Sequence, residues 1–109
     1  MSFKPYGAEM LRELWRRKGQ KGASSRVMYD HLKDKGYEVS RASVIQELNN
    51  FVALGIVSYE TATGKGGHHR VYSATMTEEE FWVWLARRTC DTLINASNMP
   101  NLYEKVLSS

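Results

Sequence analysis

The sequence predicts a mainly α fold with one small antiparallel β-hairpin, followed by a long C-terminal helix. Three observations point there. Apolar residues recur at helical spacing in three segments before residue 55, two β-rich runs flank a glycine-rich stretch over 56–73, and a capped, aromatic-rich helical segment opens at Thr77. At 109 residues the chain is long enough for one compact domain with a real core, expected over residues 1–75, with 76–109 as a helical extension.

In "AEMLRELWRRK", Met10, Leu11, Leu14 and Trp15 fall on one face while Arg12, Glu13, Arg16 and Arg17 fall elsewhere, which makes an amphipathic helix ending near Gly19. After the linker "GQKGAS", Ser24 or Ser25 serves as N-cap of a second helix. It buries Met28, Tyr29 and Leu32 and runs to about Lys35, with Gly36 closing it. Ser40 caps a third helix, "RASVIQELNNFVAL", closed by Gly55.

At 100° per residue the third helix gathers Val44, Ile45, Leu48, Phe51 and Val52 on one side and Ala42, Ser43, Gln46, Asn50 and Ala53 on the other. The second face is polar yet uncharged. Small residues with amide and hydroxyl groups suit close approach to base edges, where Asn and Gln pair bidentately with adenine. An ordinary solvated face fits the same residues, so this helix alone does not separate the two readings.

The segment "TATGKGGHHRVY" has three readings. As a phosphate-binding loop it lacks a glycine five residues before the Gly-Lys pair, where Tyr59 stands, and a Ser or Thr after the lysine, where Gly66 stands. As a metal site it offers His68 and His69, which a strand directs to opposite faces; His31 and Cys90 lie in separate helices with no Cys or His partner three or four residues away. A site assembled in three dimensions or across a dimer stays open. As a hairpin tip between strands at Ile56–Thr61 and His68–Ser73, every residue has a use. The glycines permit the turn, and Lys65, His68, His69 and Arg70 bring cationic or hydrogen-bonding groups to its end.

The helix from Thr77 to Ala96 opens with Thr77 and Glu80 in capping-box spacing. Phe81 and Leu85 can pack on a core, while Trp82, Trp84 and Leu93 spread around the remaining circumference, more apolar surface than one contact explains. "SNMP" breaks this helix, and "NLYEKVL" forms a last short one with Leu102, Tyr103, Val106 and Leu107 as its apolar side. Trp82, Trp84, Leu93, Leu102 and Tyr103 are therefore the expected dimer contact, since aromatic residues concentrate in interface cores. A helix sandwiched within its own chain is the plainer alternative.

Charge is regional. Residues 1–75 hold twelve Lys/Arg against seven Asp/Glu, whereas 76–109 hold three against five. A basic N-terminal unit fits a polyanionic partner, with Arg16, Arg17, Lys18, Lys21, Arg26, Arg41, Lys65 and Arg70 as candidate phosphate contacts. The single cysteine, Cys90, forms no internal disulfide and fits a buried, inert residue better than a redox sensor. The N-terminus has no apolar signal-peptide core, and no run approaches the roughly 18 residues of a membrane span. The expectation is a soluble cytoplasmic protein with no membrane partner. No catalytic constellation, metal set or cofactor motif is recognisable, so no enzymatic activity and no cofactor are expected.

Helix, helix, helix and two-stranded wing is the order of a winged helix-turn-helix domain. Over residues 8–75, "MLRELWRRKG", "VMYDHL", "SVIQELNNFVALGIV" and "GKGGHHRVY" resemble the DNA-binding domain of the penicillinase-repressor family of transcriptional regulators, at positions including Leu14, Trp15, Gly19, Val44, Leu48, Gly55 and Tyr72. The resemblance implies a homodimeric repressor on a palindromic double-stranded operator, third helix in the major groove and wing on backbone or minor groove. By position it places Arg41, Ser43, Gln46 and Asn50 at the groove and Lys65 and Arg70 on the wing; Arg26 and His68 complete the expected contacts. The tail is short for that family and Cys90 stands alone, so no effector is indicated. A winged helix used for protein contact is the competing reading, and weak salt dependence of DNA binding would favour it.

Overall fold

The computed structural model describes residues 4–64 and 67–109. Lys65, expected at the wing tip, lies outside the described residues. The elements are α1 (Pro5–Arg16), β1 (Ala23–Ser24), α2 (Ser25–Asp34), α3 (Arg41–Leu54), β2 (Val57–Gly64), β3 (Gly67–Ala74), α4 (Glu78–Ser97) and α5 (Leu102–Ser108). The chain divides into two compact units, one ending at Glu78 and one from Glu79 to Ser109.

The first unit is a winged helix. Met10, Leu11 and Leu14 of α1, Met28 and Leu32 of α2, and Val44, Leu48 and Phe51 of α3 close over the sheet residues Ala23, Val57, Tyr72 and Ala74. Burying each large side chain is worth about 2 kcal/mol. The helix starts are fixed locally. Pro5 occupies the first turn of α1, where its missing N–H costs nothing, so α1 begins three residues earlier than its apolar stripe suggests. Ser24 Oγ accepts from Val27 N (3.2 Å) and Ser40 Oγ from Ser43 N (3.1 Å), the caps of α2 and α3. Gly55, at φ 82°, closes α3 and lets Ile56 N donate to Phe51 O (3.2 Å).

The sheet differs from the expected pair of strands. It has three, in the order β1-β3-β2, all antiparallel. The segment read as a plain linker contributes β1, with Ala23 opposite Tyr72 and Ser24 opposite Val71. The hairpin strands also run longer than Ile56–Thr61 and His68–Ser73, pairing from Val57 opposite Ala74 out to Gly64 opposite Gly67.

α3 differs as well. Its buried residues are Val44, Glu47, Leu48 and Phe51, whereas Ile45 is 38% exposed and Val52 half-buried. At 100° per residue the helix is turned by roughly 50° from the position its hydrophobic residues alone would choose. Two contacts accommodate Glu47 on the inner side. Its carboxylate lies beside Gly7, where a Cβ would come within 3.2 Å of Oε2, and it accepts from Asn50 Nδ2 (3.2 Å).

α1 and α2 are joined by an ionic cluster. Glu13 is only 2% exposed and accepts from Arg16 and from Arg17 Nε (2.7 Å); His31 Nε2 lies 2.8 Å from Glu9 Oε2 and 3.8 Å from Glu13 Oε1. Burial pushes both carboxyls up. At Glu9, hydrogen bonds to His31 and Arg12 outweigh it; at Glu13, the Arg17 bond, the His31 charge and Arg16 do so, and both groups end below the usual carboxylate range. A depressed carboxyl contributes stability that is complete above its unfolded value, about 4.3, and is lost as pH falls through the lower folded-state value. Urea midpoints of the native chain should therefore fall from about pH 5 to pH 3, and Glu13→Gln should flatten that fall.

The second unit is a helical pair. Asn98, in the left-handed region at φ 57°, and Pro100 separate α4 from α5. Phe81 is buried, with its ring 5.1 Å edge-on to Trp82 and 5.9 Å from Trp84. Among the described residues no helix is long and apolar enough to cross a membrane.

Candidate nucleic-acid interface

Because α3 is turned on its axis, its outward face is formed by Arg41, Ala42, Ile45, Gln46, Asn50 and Ala53, all exposed, with Asn49 half-buried among them. Arg41 carries the one formal charge of this face. Gln46 makes no hydrogen bond within the chain among the described residues, so both ends of its amide are available to an outside partner. Asn50 is exposed, with its Nδ2 directed to Glu47. Ser43 sits at the margin, half-buried, and its hydroxyl accepts from Ser40 Oγ (2.9 Å) in the cap.

The N-termini of α2 and α3 lie side by side. Arg41 Nη2 reaches Ser25 Oγ (3.4 Å), and Arg26 is exposed, 3.6 Å from an equally exposed Asp30. A surface pair of this kind holds neither partner firmly. Arg16 and Arg17, by contrast, fold back on Glu13, and Arg17 also donates to Gly22 O (3.5 Å). Lys18 and Lys21 are exposed.

The hairpin register assigns the wing residues to faces. Val57, Tyr59, Thr61 and Thr63 pair with Ala74, Tyr72, Arg70 and His68, so these eight share one face and His69 lies on the other. The inner end of that face, Val57, Tyr72 and Ala74, is core. Farther out, the Arg70 guanidinium lies 4.1 Å from the Tyr59 ring centroid and donates to Asn49 Oδ1 (3.1 Å), while Tyr72 Oη donates to the same oxygen (3.0 Å). His68 is exposed, with Nδ1 3.3 Å from Thr63 Oγ1. Arg70 and the outward face of α3 thus form one continuous surface, joined by Asn49.

Asn49 and Tyr59 were not among the residues the sequence nominates. The period-2 relation of Tyr59, Tyr72 and Arg70 is visible in the sequence, but their junction with α3 depends on its rotation.

In the second unit, Trp82, Leu93 and Tyr103 are each more than half exposed, as are Val83, Val106 and Leu107. Trp84 and Leu102 are half-buried, and Arg88 lies over the Trp84 ring at 5.4 Å. α4 and α5 enclose an apolar groove of about 170 Å³ lined by Cys90, Leu93, Ile94, Leu102, Tyr103 and Val106. Among the described residues no group of three His, Cys, Asp or Glu side chains is placed to hold a metal ion.

Three helices and a three-stranded antiparallel sheet, with the exposed face of α3 beside the Arg70-bearing hairpin, define a winged-helix protein. Two solved structures share the fold. The ferric uptake regulator of Vibrio cholerae matches with a TM-score of 0.55 at 23% identity over 72% of this chain and 56% of that one; its crystal structure reveals a rearrangement of its DNA-binding domains. The Pseudomonas aeruginosa ferric uptake regulator, solved with manganese, matches with a TM-score of 0.55 at 24% identity over 70% of this chain and 54% of that one. The chain spans just over half the length of these regulators, and likeness at this identity establishes the fold. No protein-family profile matches the chain, and no curated protein does.

Proposed function

We propose that this chain is a sequence-specific double-stranded DNA-binding transcriptional regulator, acting in the cytoplasm as a homodimer on a palindromic operator, with repression as its expected effect. α3 enters the major groove and the wing lies on the backbone or in the minor groove. The observation that carries this reading is the junction of α3's exposed face of small and amide residues, with Arg41 at its N-terminal end, to Arg70 of the wing through Asn49 Oδ1 (3.1 Å). The Vibrio cholerae ferric uptake regulator, which has DNA-binding domains and shares the fold, supports it, as does the resemblance to the penicillinase-repressor family. No catalytic activity, cofactor or effector is part of the proposal.

Two recognition helices reach successive major grooves only if two copies are held about 34 Å apart. The exposed Trp82, Leu93 and Tyr103, with the half-buried Trp84 and Leu102, are the surface proposed to join them. The same apolar face supports a second reading, a winged helix that works through protein contact alone.

Selection of duplexes from a random library distinguishes the two. The native chain should recover an inverted repeat with half-sites one helical turn apart. Gln46→Ala with Asn50→Ala should relax preference within each half-site by about 1–3 kcal/mol per contact. Recovery of no common sequence would contradict the proposal.

A further inference from the structure

We infer that Asn49 and Tyr59 are positioning residues that hold Arg70 before any duplex arrives, so that α3 and the wing meet DNA as one preformed surface; this rests on the DNA-binding reading above. The Arg70 guanidinium is fixed twice, by the Tyr59 ring at 4.1 Å from its centroid and by Asn49 Oδ1 at 3.1 Å. Asn49 is itself fixed from the inside, because its oxygen also accepts from the hydroxyl of Tyr72, a residue only 3% exposed. The Tyr59 and Tyr72 rings lie 6.0 Å apart, which steadies the lower end of the stack.

The chemistry of the partners settles which way the amide points. A guanidinium only donates, so the oxygen of Asn49 faces Arg70 and the Nδ2 group is left without a partner among the described residues. Asn49 therefore offers the duplex donors only, suited to a phosphate oxygen or to the acceptors of guanine and thymine, and not to the donor-and-acceptor edge of adenine. Arg70, already ordered, gives up less rotamer freedom on contact than a free surface arginine.

A double-mutant cycle on duplex affinity tests the coupling. Arg70→Ala should weaken binding about tenfold and lower the salt slope by about one contact. Tyr59→Leu should weaken it about fivefold, while Tyr59→Phe, which keeps the ring face, should bind as the native chain does. In the Tyr59→Leu background Arg70→Ala should then cost less than threefold, and Asn49→Ala should couple to Arg70→Ala in the same sense. Effects that multiply independently, a Tyr59→Phe variant as weak as Tyr59→Leu, or an Arg70→Ala variant that binds normally would each overturn the inference while leaving DNA binding intact. Failure of the native chain to bind any duplex would instead remove the DNA-binding reading and this one with it.

Discussion

Gly22→Ala should destabilise the first unit by about 3 kcal/mol, near the upper end of what overpacking a well-filled site costs. A Cβ there would lie 2.0 Å from the carbonyl oxygen of Tyr72, 2.5 Å from Ser73 Oγ and 2.9 Å from the carbonyl carbon of Tyr72. Two of these atoms are backbone of the central strand, so no rotamer change relieves the clash, and β1 must separate from β3. The neighbouring Ala23 is buried and paired with Tyr72, so separation also opens the core. Gly19→Ala is the control. That site has open space but a φ of 84°, so the cost is limited to backbone strain of about 1 kcal/mol. Urea unfolding of the two variants should show a much larger midpoint loss at position 22 than at position 19. Equal losses would mean that β1 does not depend on this close approach.

Position 22 also illustrates what a single sequence conceals. "GQKGAS" carries turn residues and no periodicity, and a two-residue strand is too short to show any. Its pairing is decided by the neighbouring backbone of β3, which no local pattern encodes. The features that were legible are local ones. Ser40 and Gly55 announced the ends of α3, Ser24 capped α2 as one of two candidates, and Met10, Leu11, Leu14, Met28 and Leu32 declared their core faces by spacing. α3 was legible in extent but not in rotation. Hydrophobicity favours burying Ile45, yet the close approach of Gly7 makes room for Glu47, and the turn that follows brings Asn49 to the wing. The same turn draws Ser43 to the margin of the face and leaves Ala42 and Gln46 exposed.

Ala42→Glu with Gln46→Glu should therefore reduce duplex affinity by about a hundredfold or more. Both positions are exposed and four residues apart, so the two carboxylates would project together from the face proposed to enter the groove. Placing like charge against a phosphate-lined surface costs several kcal/mol, and about 1.4 kcal/mol is tenfold in affinity. The cost to the fold is small, since a like-charged pair on an exposed helix face destabilises by only about 0.3 kcal/mol. Lys33→Glu on α2, also exposed, is the matched control and should cost far less. Anisotropy titrations at fixed ionic strength, with circular dichroism to verify folding, measure both. Equal losses from the two surfaces would show that net charge alone governs binding and that α3 is not the docking face.

The central claim, that this winged helix binds double-stranded DNA through phosphate contacts around α3 and the wing, is tested most directly by fluorescence anisotropy. The native chain would be titrated against a mixed-sequence duplex at about 50 and 200 mM salt. With roughly four phosphates neutralised, counterion release predicts a fall in affinity of about a hundredfold between the two. Micromolar binding at the lower salt that collapses in this way is the predicted result. Absence of binding at 50 mM, or binding indifferent to salt, would contradict the account and leave the exposed apolar face of α4 and α5 as the working surface of the protein.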